Sequence, residues 1–376
     1  MLNILINKNT PPSPLLKTSG NQVNGGRIIG LDIVRILLVF LIFLFHSRIH
    51  LRCDYGLLNT FVNNGHIVAM TAFFMLSGYS LVISNGNKDY NKFDNITTFY
   101  KKRFISIYPL YFIVGYIGVV LKILMGKQMI IDNILLIPVE LFCYQSFYES
   151  LFNYAHNAGT WFISCLLFSY FLFPWFVNLL KNLSRRQLVF ALFVVILLLS
   201  YSPYVAERFH TARLYANPFF RLLEFVAGMM IAMINSEKQN NIEWLRQMRS
   251  PLAFSLSSLL LFVGITFMGY FHIYLNWLPI FCISIILIGA GYLNFPSSLN
   301  NKIVRYLSSV SYAFFLGQTF VFVPWRYLLS RYNYTLSNIM LIVCSFIACM
   351  FFAVILHELV ENRISSWLKP KLIKSN

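Results

Sequence analysis

The most constraining feature of this sequence is a series of long apolar segments joined by short polar connections. A helix needs about 20 mostly apolar residues to cross a bilayer. Only 11% of the residues are charged, whereas a soluble domain carries about a quarter. The sequence therefore predicts an all-α integral membrane protein, a bundle of about ten transmembrane helices within residues 29–365. The ten predicted spans are 30–47, 66–84, 104–124, 159–180, 187–203, 217–235, 252–271, 273–293, 306–328 and 336–358.

The basic residues predict the orientation of this bundle. If the N-terminus is cytoplasmic, the tails and alternate loops on that side hold 20 of the 30 Lys and Arg residues. Loops on the cytoplasmic side of a membrane carry such an excess. We therefore expect both ends inside, with residues 1–28 and 366–376 as cytoplasmic tails. Because the charge is spread over many short loops, a nucleic-acid partner is not expected.

Two features limit other interpretations. The apolar stretch 129–147 is interrupted by Pro138 and Glu140, which favours an interfacial or re-entrant piece over an eleventh span. The six cysteines are scattered and form no paired CxxC motif with histidines, so neither a metal site nor a disulfide framework is predicted.

The first predicted span carries three residues that are costly in lipid. Eleven residues of helix turn the chain by about three turns plus 20°, so Arg35 and His46 share one face, and Asp32 falls on the same stripe. Ionisable residues inside a membrane usually face the bundle interior and mark functional sites. The alternative is a structural Asp32–Arg35 pair near the membrane surface with an interfacial histidine, and spacing alone does not decide between them.

The sixth predicted span contains a second pair of opposite charges. Arg221 and Glu224 are three residues apart and can meet on one helix face. On the predicted topology they lie at the depth of His46. A purely structural ion pair is an equally good interpretation.

The second and third spans carry softer signals. Lys101, Lys102 and Arg103 at the start of the third span could hold phosphate groups, or could simply anchor the topology. Ser77 and Gly78 in the second span are typical of close helix packing in lipid.

Taken together, six motifs in order resemble the acyltransferase family three of membrane-bound O-acyltransferases, over about residues 29 to 365. The motifs are GLDIVR followed by ten residues and His46, FFMLSGYS, KKRFISIYPLY, GTWFIS, RLLEFVAG and LSSVSYAFFLGQ. Two positions depart from the family pattern. Ser106 stands where the family often has a further Arg, and Gln318 stands near a common His.

The resemblance implies roles for individual residues. It implies catalytic roles for His46, Arg35 and Asp32, with His46 as general base. It places the acyl donor near Lys101, Lys102, Arg103, Tyr108, Ser77 and Gly78. Acceptor binding or support is expected from Arg221, Glu224, Trp161 and Gln318.

The activity implied is transfer of an acyl group, expected to be acetyl, from cytosolic acyl-CoA to a hydroxyl of a cell-surface glycan or its lipid-linked precursor. Acyl-CoA is then a co-substrate, and no bound cofactor or metal is expected. The expected location is a bacterial cytoplasmic membrane, with membrane lipids as neighbours and a homo-oligomer as an open alternative. Two other functions remain open: a transporter or flippase for a lipid-linked oligosaccharide, and a non-enzymatic subunit of a polysaccharide assembly complex.

Overall fold

The structure is a computed structural model that describes residues 28–124, 130–148, 151, 159–208, 214–236, 243–267, 277–293, 302–332 and 336–373. These residues are almost entirely helical and contain no strand. The helices are α1 Ile29–Leu51, α2 Asn59–Asn85, α3 Phe93–Leu124, α4 Ile130–Leu141, α5 Thr160–Lys181, α6 Arg185–Arg208, α7 Pro218–Ile234, α8 Glu243–Met248, α9 Pro251–Phe267, α10 Trp277–Tyr292, α11 Lys302–Arg331, α12 Asn338–Ile355 and α13 Arg363–Leu372.

Each of the ten predicted spans coincides with one of these helices. Seven of the described helices are long and apolar enough to cross a membrane: α1, α2, α3, α5, α6, α11 and α12 with its continuation. Helices α9 and α10 are also strongly apolar but are described over 17 and 16 residues. The all-α membrane fold is thus confirmed, while the count of ten and the orientation stay predictions.

The last predicted span and the C-terminal tail form one continuous helical rod. Helix α12 passes into a π-helical turn, Leu356–Asn362, and then into α13. The predicted tail from residue 366 therefore begins inside a helix. The predicted tail 1–28 lies outside the described residues except for Ile28.

The interrupted stretch around Pro138 does not cross the membrane. Helix α4 has 12 residues, which is too short for a bilayer. The Tyr111 hydroxyl of α3 donates to the carbonyl oxygen of Glu140, and the Gln145 amide donates to the carbonyl oxygen of Thr160 at 3.1 Å. These bonds fold the segment against α3 and the start of α5.

Helices α2 and α7 make the closest approach in the bundle, at two glycines. A Cβ on Gly78 would meet the backbone carbonyl of Phe225, and one on Gly228 would meet that of Met75. Close approach through small residues is the usual way helices associate in lipid. Gly78 was predicted to be near the acyl donor, but it faces α7, so we assign it to helix packing.

Helices α1 and α11 run parallel and position most of the polar residues. Asp32 meets Ser308 near the beginning of each helix, and His46 meets Gln318 further along both. Because both contacts lie on one side of α1, the predicted stripe faces the bundle interior over about four helical turns.

Candidate active site

One end of α1 holds a charged cluster. Ser308 Oγ donates to Asp32 Oδ1 at 2.6 Å, and Arg35 Nη1 lies 3.4 Å from the same carboxylate and 3.2 Å from Ser308 Oγ. Asp32 is buried, whereas the Arg35 side chain is 29% exposed. The carboxylate therefore holds the guanidinium in place while part of it stays accessible.

Helices α2, α3 and α5 extend this cluster. The Tyr170 side chain lies close enough to Ser77, Arg103 and Arg35 for electrostatic interaction. The Arg103 guanidinium packs 5.9 Å from the Tyr170 ring centroid. Its Nε is buried and has no hydrogen-bond partner among the described residues. An unpaired buried donor costs about 1–3 kcal/mol, so this nitrogen is suited to an acceptor oxygen brought by a ligand.

Further positive charge surrounds this part of the molecule, which we call the basic end and define by Arg35, Arg103 and Lys102. Lys101 and Lys102 are exposed on α3. Burial, followed by the neighbouring positive charges of Lys102 and Arg103, lowers the pKa of Lys88 from its ordinary value. Such a concentration of cations attracts a polyanion such as a chain of phosphates.

His46 lies further along α1, about 16 Å from Arg35 by the helical rise. Its Nδ1 is 3.0 Å from Oε1 of Gln318 on α11. An amide oxygen only accepts, so Nδ1 carries the proton and Nε2 keeps its lone pair. Gln318 is fully buried, and its amide nitrogen has no hydrogen-bond partner among the described residues.

His46 borders a cavity of ≈ 500 Å³ enclosed mainly by α1, α2, α5 and α11. The cavity combines imidazoles and aromatic rings, and none of its described lining residues is Lys, Arg, Asp or Glu. A ligand pocket of a few hundred Å³ with few polar groups is typical of a small-molecule site. Its lining residues are Ile42, Phe45, His46, Ile49, His50, His66, Met70, Gly159, Trp161, Tyr215, Ala216, Phe315 and Thr319.

Arg221 and Glu224 lie behind one wall of this cavity. Asn217 caps α7 by accepting from the backbone nitrogens of Phe219 and Phe220. This cap fixes the start of the helix that carries Arg221 and Glu224. Arg221 Nη1 is 2.7 Å from Glu224 Oε2, and each side chain is 1% exposed. Thr71 donates to Glu224 at 2.8 Å, and Arg221 Nε donates to the Tyr215 carbonyl at 2.9 Å.

The pair supports the aromatic wall and does not line the cavity. The Arg221 guanidinium lies 5.7 Å from the Trp161 ring centroid and 5.3 Å from that of Tyr215. Its described contacts do not include His46. Arg221 and Glu224 were expected to touch the acceptor or support the site, and the geometry assigns them to support.

The remaining predicted residues separate into two groups. Trp161 lines the cavity, and Ser77 belongs to the cluster around Tyr170. Tyr108 instead donates to the carbonyl oxygen of Leu141 at 2.8 Å and joins α3 to α4. Tyr108 and Gly78 thus have structural contacts of their own, while Ser77 and the cations lie together. The donor role of each of these residues stays a prediction.

Sequence reasoning missed three residues that the structure brings to these sites: Ser308, Tyr170 and His66. Ser308 is the second residue of the motif LSSVSYAFFLGQ, but no site role was predicted for it. Tyr170 carries no local signal, because aromatic residues are common throughout this sequence. His66 is the first residue of the predicted span 66–84, a position typical of an interfacial histidine. The described residues contain no group of three or more His, Cys, Asp or Glu arranged to hold a metal ion.

Comparison with known proteins gives one strong match and one distant one. A family model described as "Acyltransferase domain" matches residues 28–358. The chain is also similar to "Acyltransferase MdmB" from Streptomyces mycarofaciens, with 26% identity over 183 residues. That match covers 44% of this chain and 46% of the relative, so the chain spans less than half the length of the curated relative it matches. No solved structure matches the chain.

Proposed function

This chain belongs to the family described by the acyltransferase domain model, and from that premise we propose that it is a membrane-embedded O-acyltransferase using an acyl-CoA donor. The observation that carries the proposal is the position of His46 and the contact that its ring makes. Gln318 engages Nδ1, the ring borders a cavity, and α1 leads back from it to the basic end. This combines a proton acceptor, a substrate-sized space and an anion-binding mouth along one helix.

We place the basic end at the cytoplasmic surface, in a bundle of ten crossings with both chain ends inside. The support is the excess of Lys and Arg on that side, together with the cytosolic location of acyl-CoA. The membrane is then a bacterial cytoplasmic membrane. The cavity around His46 lies toward the opposite leaflet, so donor and acceptor enter from opposite sides.

The donor binds at the basic end through its phosphate groups. Lys102, Arg103 and Arg35 supply the positive charge, and the unpartnered Nε of Arg103 supplies a buried donor. Charge-assisted hydrogen bonds from guanidinium to phosphate are among the strongest in proteins. The extended pantetheine arm then carries the thioester along α1 toward His46.

The reaction follows from the tautomer that Gln318 selects. Nε2 of His46 takes the proton from the acceptor hydroxyl as its oxygen bonds to the thioester carbonyl carbon. The carbon–sulfur bond breaks, and the imidazolium returns the proton to the CoA sulfur. The products are an ester and free CoA thiol, and no other reactant is needed.

For the acceptor, we propose a hydroxyl of a surface glycan or of its lipid-linked precursor, and for the acyl group, acetyl. The support is the family resemblance and the neutral, aromatic lining of the cavity. Comparing surface glycans by mass spectrometry with and without this protein would identify both groups. An unchanged acylation pattern would contradict this choice of acceptor.

The central test replaces His46 in the purified protein in lipid nanodiscs. His46→Ala should lower acyl transfer from acetyl-CoA by about 10²–10⁴-fold, the usual contribution of a general base, while binding of radiolabelled acetyl-CoA persists. Leu37→Ala is a matched control, because Leu37 lies on the same helix but is 61% exposed on its outer face.

Two outcomes would contradict the proposal. Normal transfer by His46→Ala would remove the imidazole from the chemistry. Failure of the wild-type protein to bind acetyl-CoA would favour a flippase, which needs no CoA donor.

A further inference from the structure

The cavity contains two further imidazoles that the mechanism does not use, those of His50 and His66. His66 of α2 stacks on Phe45, with ring centroids 3.6 Å apart and an interplanar angle of 12°. Its Nδ1 contacts the carbonyl oxygen of Asn63, three residues earlier in the same helix. A carbonyl only accepts, so Nδ1 carries the proton and Nε2 is the acceptor.

His46 and His66 are therefore presented in the same way. In each, Nδ1 is bound to an oxygen of the protein, and Nε2 has no hydrogen-bond partner among the described residues. Both rings line the same cavity, and both lie against Phe45, with the His46 centroid 5.7 Å from it. The cavity is therefore bordered by two imidazoles that each keep one accepting nitrogen.

The wall beside His66 is aromatic. Its ring centroid lies 5.6 Å from that of Tyr215, which lies 4.7 Å from that of Trp161. Arg221 holds both aromatic rings from behind. Rigid aromatic faces of this kind pack against the apolar side of a ring while hydroxyls at its edge find polar partners.

We infer that His66 binds the acceptor, with Nε2 accepting a hydrogen bond from a second hydroxyl while His46 takes the proton of the reacting one. The acceptor is then a neutral ring with at least two hydroxyls, one face of which packs on Trp161 and Tyr215. This inference rests on the proposed function and adds a residue that selects the acceptor. A single-hydroxyl alcohol would leave the His66 acceptor without a partner, which is the way polar sites reject incomplete ligands.

The experiment measures CoA release from acetyl-CoA by the full chain in nanodiscs, using three neutral methyl glycosides as probes: methyl α-D-glucopyranoside, methyl α-D-galactopyranoside and methyl α-L-rhamnopyranoside. Cyclohexanol is the single-hydroxyl comparison. We expect at least one glycoside, and not cyclohexanol, to accelerate release by the wild-type protein.

His66→Phe keeps the ring that stacks on Phe45, and it should raise KM for that glycoside about tenfold, as expected for one lost hydrogen bond. Its KM for acetyl-CoA and its melting temperature should not change.

His66→Gln, which keeps a hydrogen-bonding group, should recover part of the glycoside affinity. The inference is overturned if no glycoside accelerates release, if cyclohexanol accelerates it equally, or if His66→Phe keeps the wild-type KM for the glycoside. The His46→Ala variant distinguishes failure of the inference from failure of the proposed function. If CoA release depends on His46 but not on His66, only the inference is wrong. If CoA release does not depend on His46, both are wrong.

Discussion

The two ends of α1 differ in their charge and in their exposure to water. At the basic end, Arg35 is fixed by Asp32 and Ser308 and remains partly exposed, among cations supplied by α3. At the cavity, His46 contacts the neutral amide of Gln318, and none of the described lining residues is Lys, Arg, Asp or Glu. Long-range attraction needs charge that water can reach, whereas proton transfer needs a fixed neutral base. On the proposed mechanism, mutations at the two ends should therefore affect donor binding and proton transfer separately.

Arg221 and Glu224 form a third arrangement that belongs to neither end. They are an ion pair of opposite charges, yet each side chain is 1% exposed. Removing one partner of a buried pair leaves an uncompensated charge, which costs far more than the pair contributes. Mutation of this pair should therefore lower the stability of the folded protein. It should change activity only indirectly, through the aromatic wall of the cavity that the pair supports.

The largest expected effect follows from that difference. Arg221→Ala should lower the free energy of unfolding by about 3–5 kcal/mol, because Glu224 stays buried without its partner. Thermal or denaturant unfolding in nanodiscs measures the change. Arg35→Ala serves as the comparison, and it should cost less, because its partner Asp32 keeps the Ser308 hydrogen bond.

The double variant Arg221→Met with Glu224→Leu removes both charges and fills the space with apolar atoms. It should be more stable than Arg221→Ala, since apolar replacement of a buried pair is often neutral or stabilising. A double variant as unstable as the single one would show that the cation and carboxylate are needed for packing geometry and not for mutual charge compensation.

The sequence predicts local features of these regions well and contacts between distant segments poorly. The length of the apolar segments places each predicted span on a described helix. Spacing alone brings Asp32 to Arg35 and Arg221 to Glu224, because residues three apart on a helix share a face. The contact of Gln318 with His46 could not be predicted in this way, since the two residues are 272 positions apart. The sequence predicts Gln318 only as a residue that binds or supports the acceptor, whereas the structure places its amide on the imidazole.

The same limit applies to the residues predicted near the donor. Gly78 and Tyr108 lie in motifs associated with the donor, but a motif does not show which side of a helix meets the neighbour. Gly78 is used for the approach of α7, and Tyr108 for the bond to α4. Conversely, Tyr170 joins the cluster from α5 through packing that no periodicity encodes.

The second prediction tests whether Gln318 sets the tautomer of His46. Gln318→Met has a similar length and shape but no amide oxygen, so both tautomers of His46 become accessible. We expect kcat to fall about 10–100-fold, in line with the loss of a residue that orients a reactive imidazole, with KM for acetyl-CoA unchanged. Steady-state kinetics in nanodiscs provides both constants.

Gln318→Glu is the matched control, because it retains an oxygen that accepts from Nδ1. It should keep much more activity than Gln318→Met. Equal losses of activity in the two variants would show that the amide nitrogen matters instead of the oxygen. A raised KM for acetyl-CoA would contradict the proposal that donor binding and proton transfer depend on different ends of α1.

The smallest expected effect lies at the basic end. Lys102 is exposed, so its charge acts through water and salt, and Lys102→Ala should raise KM for acetyl-CoA only a few-fold, on the order of 1 kcal/mol or less. The increase should shrink as salt rises from low to physiological concentration, and kcat should stay constant.

Arg246→Ala is the control, since Arg246 is an exposed cation on α8 paired with Glu243 and lies in a different part of the bundle. If both variants change KM equally, net charge alone attracts the donor. If only Lys102→Ala does, and the difference disappears in salt, the phosphates are held at the basic end while the chemistry at His46 is untouched.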